Sequence, residues 1–279
     1  MGILNVTPDS FSDGGRYADP RRAVEHALEM AAAGADLIDV GGESTRPGAQ
    51  PVGAAEEIRR VVPIIEALAP QVQVPISVDT SKAEVMVAAV SAGASMINDV
   101  RALREPGALQ AAARTDAAIC LMHMQGEPRT MQSDPRYADV VAEVGQFLDG
   151  RVEACVDAGI GTERIVLDPG LCFGKRLEHN LALLAGLPEL QRRGLPLLVG
   201  ISRKSMFGTL LGRGLEERLA GSLAVAAAAV LAGAAIVRAH DVAETVDAVK
   251  VAAALRAAGY RTTIQRSSTA AEREAHRGA

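Results

Sequence analysis

The stretch SKAEVMVAAVSAGASMINDV, residues 81–100, contains the repeating unit that decides the fold. Ser81 and Glu84 have the spacing of a capping box, which predicts that a helix begins here. The glycine in SAGAS (91–95) suits the left-handed position that ends a helix. The apolar run SMINDV (95–100) then predicts a buried strand. The unit is therefore a helix, a glycine, a strand and a polar strand end.

The same unit recurs along the chain. Similar glycine exits occur at 32–36, 157–161 and 231–235. Asp19-Pro20 has the pattern of an N-cap followed by proline at the first helical position. The helix that this pair begins is expected to bury one face, formed by Val24, Ala27, Leu28 and Ala31.

Eight short apolar runs predict eight strands. Strands that alternate with helices pair in parallel, and at 279 residues the natural closed form is a (β/α)8 TIM barrel of class α/β. An open doubly wound sheet is the alternative, but no GxGxxG motif follows the first run. We predict one barrel domain, residues 1–258, and a disordered polar tail, residues 259–279. The runs are GILNV (2–6), LIDVGGE (37–43), PISVDT (75–80), SMINDV (95–100), AICLMH (118–123), IVLDPG (165–170), PLLVGIS (196–202) and AIVRAHD (235–241).

The composition argues against several classes of protein. The net charge is −5, aromatic residues make up 3% of the chain and tryptophan is absent, which disfavours a nucleic-acid-binding surface. The three cysteines lack CxxC spacing, so disulfide scaffolds and zinc sites are disfavoured and a cytoplasmic protein is expected. The apolar run 219–237 contains two glycines, and we interpret it as a helix followed by a strand, not as a membrane span.

Polar side chains follow each of the eight predicted strands. In a parallel barrel these strand ends lie on one face, where active sites are found. Carboxylates and amides there can bind a flat ring rich in N–H groups, and cations at the eighth strand can bind phosphate. An amide oxygen on the first strand can join a phosphate-bound Mg²⁺. The residues are Asn5, Asp39, Glu43, Asp79, Asn98, Asp99, His123, Asp168, Ser202, Lys204, Arg238 and His240.

Two long loops follow strands on the same face. They are NVTPDSFSDGG (5–15) and GGESTRPGA (41–49), both rich in Gly, Ser, Asp and Pro. Such loops can close over a substrate and exclude water, although an ordinary surface loop is the alternative for each.

With these residues in place, the sequence resembles the dihydropteroate synthase family of folate biosynthesis from Met1 to about residue 255. The motifs that carry the resemblance are MGILNVTPDSFSDGG, DVGGESTRPGA, GISRKSM and RAHDV. The resemblance implies a barrel transferase of the alkyl/aryl type, usually a homodimer, with small-molecule substrates. Such enzymes join 6-hydroxymethyl-7,8-dihydropterin diphosphate to 4-aminobenzoate and release pyrophosphate. Sulfonamides mimic the aminobenzoate, so inhibition by them is expected.

The resemblance also implies a role for each matching residue, with Mg²⁺ as cofactor reached through Asn5. The residues expected to line the pterin pocket are Asp39, Asp79, Asn98, Asp168 and Lys204. Those expected to hold the diphosphate are Asn5, Thr45, Arg238 and His240. Those expected to frame the aminobenzoate are Thr45, Arg46, Pro47, Phe173, Ser202 and Lys204. Phe11 and Asp13 are expected to close over the site. The catalytic set is Asp79, Asp168, Lys204, Arg238 and His240.

The reaction implied by the resemblance needs no nucleophile from the protein. The pterin ring can stabilise a cation at its methylene, so pyrophosphate is expected to leave before the amine attacks, in a dissociative, SN1-like step. An arylamine is already nucleophilic at neutral pH. The protein must then stabilise the negative charge that leaves and the positive charge that develops. We therefore expect Asp79 and Asp168 to act through charge and ring recognition.

Two other functions stay open. A related pterin barrel that transfers methyl from methyltetrahydrofolate to a corrinoid could share the pterin-site residues, but it needs neither the RAH group (238–240) nor the STRPG loop (44–48). A pterin-binding homologue without catalysis could lose Lys204, Arg238 and Asn5, all of which are present.

The segment LDPGLCFGK, residues 167–175, departs from the family pattern. Cys172 stands where glycine is expected and Leu171 where phenylalanine is common. If position 172 needs a positive φ, cysteine carries strain there that glycine would not. We expect no catalytic role for the Cys172 thiol, and a structural role for His123. A further departure is that the family usually has a short segment before the first strand, on which this sequence starts.

Overall fold

The computed structural model describes residues 1–7, 20–44, 50–128 and 130–260. Within these ranges eight short strands alternate with helices. The strands are β1 (Gly2–Asn5), β2 (Ile38–Gly41), β3 (Ile76–Asp79), β4 (Met96–Asp99), β5 (Ala118–Met122), β6 (Ile165–Asp168), β7 (Leu198–Gly200) and β8 (Ile236–Arg238). Each coincides with one of the eight predicted runs.

One helix follows each strand, except that β6 and β7 are each followed by two. The helices are α1 (Pro20–Ala32), α2 (Ala54–Leu68), α3 (Ala83–Ser91), α4 (Ala108–Ala113), α5 (Val140–Asp157), α6 (Leu177–Ala185), α7 (Leu187–Gln191), α8 (Ser205–Leu211), α9 (Leu219–Leu231) and α10 (Val242–Ala257).

Parallel pairing closes the strands into a barrel. Strands β1 to β6 form one sheet in chain order, and β7 pairs with β8. A bridge from Leu167 to Leu197 joins these two sheets on one side. On the other side Gly2 bridges Ala239, and Ile3 N donates to Ala239 O at 3.0 Å, so β8 returns to β1. The predicted (β/α)8 barrel is confirmed.

Side chains alternate between the two faces of each strand, and this alternation builds both the core and the site. Outward residues such as Ile97, Ile119 and Leu167 pack against the helices in the main hydrophobic core. Inward residues fill the lower barrel with a second cluster of Met96, Cys120, Val166 and Leu198. Two residues further along β4 and β6, the inward positions are the polar residues Asn98 and Asp168, and β2 and β3 supply Asp39 and Asp79. The barrel mouth therefore receives its polar groups from the strand register.

Several local predictions are confirmed. The four helix-exit glycines, Gly34, Gly93, Gly159 and Gly233, have φ angles of 96°, 119°, 87° and 106°, which suit glycine better than any L-residue. The apolar run 219–237 forms α9 followed by β8. Among the described residues, no helix is long and apolar enough to cross a membrane.

One local prediction is wrong, and a second is confirmed only in part. The capping box at 81–84 is not formed, because the N-cap of α3 is Lys82 and the Ser81 hydroxyl donates to the carboxylate of Asp99 instead. In a capping box the serine oxygen would accept from a backbone N–H, whereas here the hydroxyl is turned towards Asp99, a charged acceptor that forms a strong hydrogen bond.

The buried face of α1 also differs from the prediction. It is formed by Ala23, Val24, Ala27 and Met30, whereas Leu28 and Ala31 are only partly buried. Pro20 begins the helix as expected, and Asp19 lies outside the described residues. Residues 261–279 also lie outside them, so the disordered tail stays a prediction.

Candidate active site

The barrel mouth gathers four of the predicted site residues into one buried ionic cluster. The Arg238 guanidinium donates from Nε to Asp39 Oδ2 at 2.6 Å and from Nη2 to Asp79 Oδ2 at 2.8 Å. Asn98 Nδ2 donates to the same Asp39 oxygen at 3.0 Å. Strands β2, β3, β4 and β8 supply these side chains, and Asp39 is fully buried. Burying several charges together requires this kind of mutual pairing.

The cluster leaves one acceptor without a partner. Asp39 Oδ1 is buried and makes no hydrogen bond within the described part of the chain. A buried, unpaired carboxylate oxygen costs free energy, so it is suited to accept a bond from a ligand N–H group.

Burial also changes the protonation of the mouth. It raises the pKa of Asp79 to about 7, with the neighbouring Asp39 adding to the shift and Arg238 opposing it. Burial pulls the pKa of Arg238 down, but the carboxylates of Asp39 and Asp79 raise it above its usual value, so Arg238 stays charged. The mouth therefore combines a permanent cation with a carboxyl group that titrates near neutrality.

Asp168, Lys204 and Phe173 form a second part of the mouth. Burial raises the pKa of Asp168, whose Oδ1 accepts a hydrogen bond from Gly170 N at 2.7 Å. Burial also lowers the pKa of Lys204, whose Nζ lies 4.4 Å from the centre of the Phe173 ring. A cation at this distance over an aromatic face is attracted by the ring. The predicted pterin and aminobenzoate residues thus meet here.

Asn5, Ser202 and His240 are brought together at the ends of β1, β7 and β8. His240 Nδ1 lies 3.0 Å from the Ser202 hydroxyl, which also accepts from His240 N at 3.1 Å. Asn5 Nδ2 lies 3.4 Å from His240 Nε2. The described residues contain no cluster of three or more His, Cys, Asp or Glu side chains that could hold a metal. A metal ion at this corner would have to draw most of its ligands from a bound phosphate and water, as Mg²⁺ usually does.

The loop after β7 holds its residues in an unusual conformation. Arg203 has a φ of 55°, which is rare for a residue other than glycine. Its guanidinium binds both oxygens of Asp241, at 3.2 and 2.6 Å. This fork ties the loop after β7 to the residue that follows His240, and the turn at Arg203 lies between the site residues Ser202 and Lys204.

The loop after β6 also contains left-handed positions. Gly170, Cys172 and Gly174 have φ angles of 68°, 65° and 62°. The backbone of Cys172 is held in place, because its N–H donates to Asn180 Oδ1 at 2.7 Å and its carbonyl accepts from Gln132 Nε2. The expectation that position 172 takes a positive φ is confirmed, and the cysteine there carries the strain.

Lys175, for which the sequence predicts no role, follows Gly174 in this loop and points into the protein interior. Its side chain is only 2% exposed. Its Nζ donates to the carbonyls of Gly170 at 2.9 Å and Phe173 at 3.0 Å, and lies 2.9 Å from His123 Nδ1. His123 is buried as well and packs edge-on against the Phe147 ring. The clue in the sequence was a lysine in a largely apolar loop, but only the fold shows its acceptors.

Two of the polar strand-end residues do not point to the mouth, contrary to expectation. Asp99 accepts hydrogen bonds from Arg101 N and Leu103 N, at 2.8 and 2.7 Å, and so caps the turn after β4. Glu43 binds Lys82, together with Glu57 of α2. Local donors satisfy both carboxylates. The predicted residues Phe11, Asp13, Thr45, Arg46 and Pro47 lie outside the described residues.

Comparison with known proteins agrees with this site. Residues 1–240 match the family of pterin binding enzymes. The chain is 57% identical over 251 residues to the dihydropteroate synthase of Escherichia coli (strain K12), with 90% of this chain and 89% of that protein covered. It is similar to the crystal structure of Yersinia pestis dihydropteroate synthase with a sulfonamide drug complex, with a TM-score of 0.89, 54% identity, and 92% of this chain and 94% of that chain covered. For Xanthomonas albilineans dihydropteroate synthase with 4-aminobenzoic acid, the TM-score is 0.87 and the identity 54%, with 92% of each chain covered. This chain therefore belongs to the pterin-binding enzyme family, among the dihydropteroate synthases.

Proposed function

We propose that this chain joins 6-hydroxymethyl-7,8-dihydropterin diphosphate to 4-aminobenzoate, forming 7,8-dihydropteroate and releasing pyrophosphate. The observation that carries the proposal is the Arg238 guanidinium fixed between Asp39 and Asp79 at the barrel mouth. That arrangement places a permanent cation beside acceptors for ring N–H groups. Recognition of a diphosphate and of a pterin can thus take place in one cavity.

The pterin is assigned to the deep acceptors of the mouth. Asp39 Oδ1 lacks a partner among the described residues, and Asp168 lies across the mouth on β6. Asp79 and Asn98 lie beside Asp39 and complete the polar wall. Carboxylates can accept from the ring and amino N–H groups, and the Asn98 amide can both donate and accept.

The diphosphate is assigned to Arg238, His240 and Asn5. Arg238 and His240 provide donors at the end of β8, and Asn5 lies next to His240 at the end of β1. Mg²⁺ is assigned to this corner, where the Asn5 amide oxygen would be its ligand from the protein and phosphate and water the others. The ion would neutralise negative charge on the leaving pyrophosphate. Thr45 is assigned to the same corner from the family resemblance.

The aminobenzoate is assigned to the region of Phe173, Ser202 and Lys204. The Phe173 ring and the Lys204 ammonium lie in contact and offer an aromatic surface beside a positive charge. Such a pair suits an aromatic carboxylate. Thr45, Arg46 and Pro47 are assigned to the rim of this site, and Phe11 and Asp13 to loop closure, from the family resemblance alone.

These assignments are consistent with a dissociative reaction. Pyrophosphate leaves from the methylene, positive charge spreads over the pterin ring, and the aminobenzoate nitrogen then attacks and loses a proton. Asp79 and Asp168 stabilise the positive charge, while Arg238 and His240 stabilise the leaving anion. Losing one such fixed contact typically lowers the rate by about 10²–10³.

A direct assay tests the function and its rivals. Incubation with the pterin diphosphate, aminobenzoate and Mg²⁺ should yield dihydropteroate and pyrophosphate. Pterin binding without product favours a binding protein. Methyl transfer from methyltetrahydrofolate to a corrinoid favours the other pterin barrel. In the same assay Asp168→Ala should lose both pterin affinity and turnover, and survival of both would refute the role of Asp168.

Inhibition by sulfonamides follows from the aminobenzoate assignment. The Yersinia pestis relative is described with a sulfonamide drug complex. A sulfonamide should therefore compete with aminobenzoate and not with the pterin diphosphate. Steady-state inhibition kinetics with each substrate varied in turn distinguish the two patterns.

A homodimer in the cytoplasm is the assembly and location that we assign. Leu210, Leu211 and Leu215 are 51%, 46% and 46% exposed, next to the apolar helix α9. An exposed apolar patch of this kind is typical of a protein interface. Light scattering should give twice the mass of the chain, and Leu211→Asp should shift the protein to a monomer. The three cysteines are free and buried, which is compatible with a reducing compartment.

A further inference from the structure

We propose that Lys175 is a positioning residue that sets the geometry of the aminobenzoate site by holding the loop after β6. This inference rests on the proposed function. It follows from the hydrogen bonds of a buried lysine that the reaction itself does not use. Burial lowers the pKa of Lys175 to about 7, with Asp168 opposing the shift, but its amine donates hydrogen bonds in either protonation state.

The Lys175 ammonium is surrounded by acceptors that come from two loops. Gly170 O and Phe173 O, at 2.9 and 3.0 Å, belong to its own loop. His123 Nδ1 and His123 O, at 2.9 and 3.4 Å, lie just beyond β5. Nζ therefore connects the loop after β6 with the end of the neighbouring strand. Three of its four neighbours are backbone carbonyl oxygens.

The protonation of His123 fits this arrangement. Burial, reinforced by the nearby Lys175, lowers the pKa of His123 to about 3, so its imidazole is neutral. A neutral ring can accept at Nδ1 when the proton is on Nε2. The three nearest acceptors of Lys175 Nζ are then Gly170 O, Phe173 O and His123 Nδ1, which match the three donors of an ammonium group, and His123 O lies farther away at 3.4 Å.

The loop residues between the two bound carbonyls, Gly170 O and Phe173 O, lie next to the candidate active site. Nζ binds the carbonyls on both sides of Leu171 and Cys172, which fixes the path of the loop to Phe173. The Phe173 ring in turn contacts the Lys204 ammonium. The Gly170 amide, next to one of the bound carbonyls, donates to Asp168. Without the hydrogen bonds of Lys175, we expect the Phe173 ring to lose its fixed position relative to the Lys204 ammonium. Asp168 should keep its position, because it belongs to strand β6.

The close packing of this loop explains why it needs a donor at this point. Gly170, Cys172 and Gly174 take left-handed conformations, and their carbonyls accept from three different side chains: Gly170 O from Lys175, Cys172 O from Gln132 and Gly174 O from Tyr137. At Gly170 an added Cβ would lie 1.9 Å from His123 O, so the two loops are in close backbone contact. Carbonyls packed this closely need a shared donor, and Nζ provides it.

The experiment compares Lys175→Met with Lys250→Met, a control at an exposed lysine of α10. Methionine fills similar volume without a donor. For Lys175→Met we expect the KM for aminobenzoate to rise about tenfold or more, as misplaced binding groups do. The KM for the pterin diphosphate should change much less, and Lys250→Met should leave both unchanged. A loss of folding would instead lower kcat alone, in proportion to the fraction of protein that still binds pterin.

A second variant guards against a folding defect. Lys175→Ala leaves room for a small amine, and added methylammonium should restore the low KM for aminobenzoate in part, whereas tetramethylammonium should not. Equal changes in both KM values, or a KM for aminobenzoate like that of the wild type, would overturn the positioning role. If the wild-type chain makes no dihydropteroate, the proposed function fails instead, so the two failures are distinguishable.

Discussion

Cys172 occupies a backbone position that normally belongs to glycine. Its φ of 65° places Cβ in a crowded position, which costs an L-residue about 1–2 kcal/mol. The surrounding fold imposes this conformation through Asn180 and Gln132. The thiol packs against Met206 and Phe207, and it lies near enough to the buried amines of Lys175 and Lys204 to interact with them electrostatically.

Glycine and alanine at position 172 should therefore have opposite effects on strain. Both remove the thiol, but only Cys172→Gly removes Cβ, so the glycine variant should be more stable than Cys172→Ala by about 1 kcal/mol. Turnover should be retained in Cys172→Gly. Denaturant unfolding and steady-state kinetics test this. An alanine variant as stable as the glycine variant would mean that φ carries no strain, and a large loss of turnover would assign the thiol a function.

Asp79 should make stability depend on pH. Its pKa is about 7 in the folded protein against an ordinary 3.8, so the folded state binds a proton that the unfolded state has lost between about pH 4 and 7. Stability from this group is therefore full below about pH 4, falls as the pH rises from about 4 to about 7, and falls no further above pH 7.

Asp79→Asn should remove this loss. The amide cannot ionise but its oxygen can still accept from Arg238, so the melting temperature should rise relative to wild type more at pH 8 than at pH 5. Activity should fall about 10²–10³-fold. Asp247→Asn, on the exposed face of α10, serves as control. A gain in melting temperature that is equal at both pH values contradicts the assignment.

At the scale of elements, the loops after β7 and β8 act as one unit. The two-oxygen contact of Arg203 with Asp241 ties them, and the Ser202 hydroxyl bonds to His240 across the same gap. The forked guanidinium is suited to hold such a geometry, whereas a lysine makes a point contact.

Arg203→Lys should therefore lower kcat/KM for the pterin diphosphate about tenfold, because His240 loses a fixed position. Asp241→Asn should have a similar effect, and the double variant should lose little more than either single one. Kinetics of all four proteins give the coupling, which for residues in contact is about 0.5–3 kcal/mol. Strictly additive losses would show that the two loops are positioned independently.

The elements differ in how much of them was predictable. All eight strands follow from short apolar runs, because strands covered on both faces must be apolar. The pairs α6–α7 and α8–α9 were not predicted, since a division of one crossover into two helices depends on how the loops pack. The capping box at Ser81 failed for a related reason, as Asp99, 18 residues away, competes for the hydroxyl.

The candidate site also contains residues that the sequence predicts and residues that it does not. Asp39, Asp79, Asn98, Asp168 and Arg238 were predictable because strand period fixes which residues face inward. Lys175 and the Arg203–Asp241 pair were not, because their partners are backbone carbonyls or side chains from distant segments. Glu43 and Asp99 were wrongly placed in the mouth, since a sequence does not show which nearby donors will satisfy a carboxylate.

At the scale of the whole molecule, the seam between β8 and β1 is tightly packed at Gly2, although an apolar cavity of about 470 Å³, lined in part by Met1, Val237 and Val242, lies beside it. A Cβ at Gly2 would lie 2.8 Å from Met30 Sδ and 3.2 Å from Val242 Cγ2, so α1 and α10 press on the same point. Gly150 is exposed within α5, and a Cβ added there would have no neighbouring heavy atom within 4 Å.

The two glycines should thus respond in opposite directions. Gly2→Val should destabilise the fold by about 1–3 kcal/mol, because overpacking forces both helices outward. Gly150→Ala should stabilise it by about 0.5–1 kcal/mol, since glycine is unfavourable inside a helix. Denaturant midpoints measure both effects. A tolerated valine at position 2 would mean that the seam can widen.

The same seam also determines when the barrel can close as the chain is synthesised. Strands β1 to β6 pair with sequence neighbours, so that sheet can assemble as successive segments leave the ribosome. The outer edge of β1 stays unpaired until Ala239, near the end of the barrel sequence, has been synthesised and can pair with it. Until then its N–H and C=O groups are a template for pairing with other chains. We therefore expect a nascent chain that stops short of β8 to aggregate more readily than a chain that contains it.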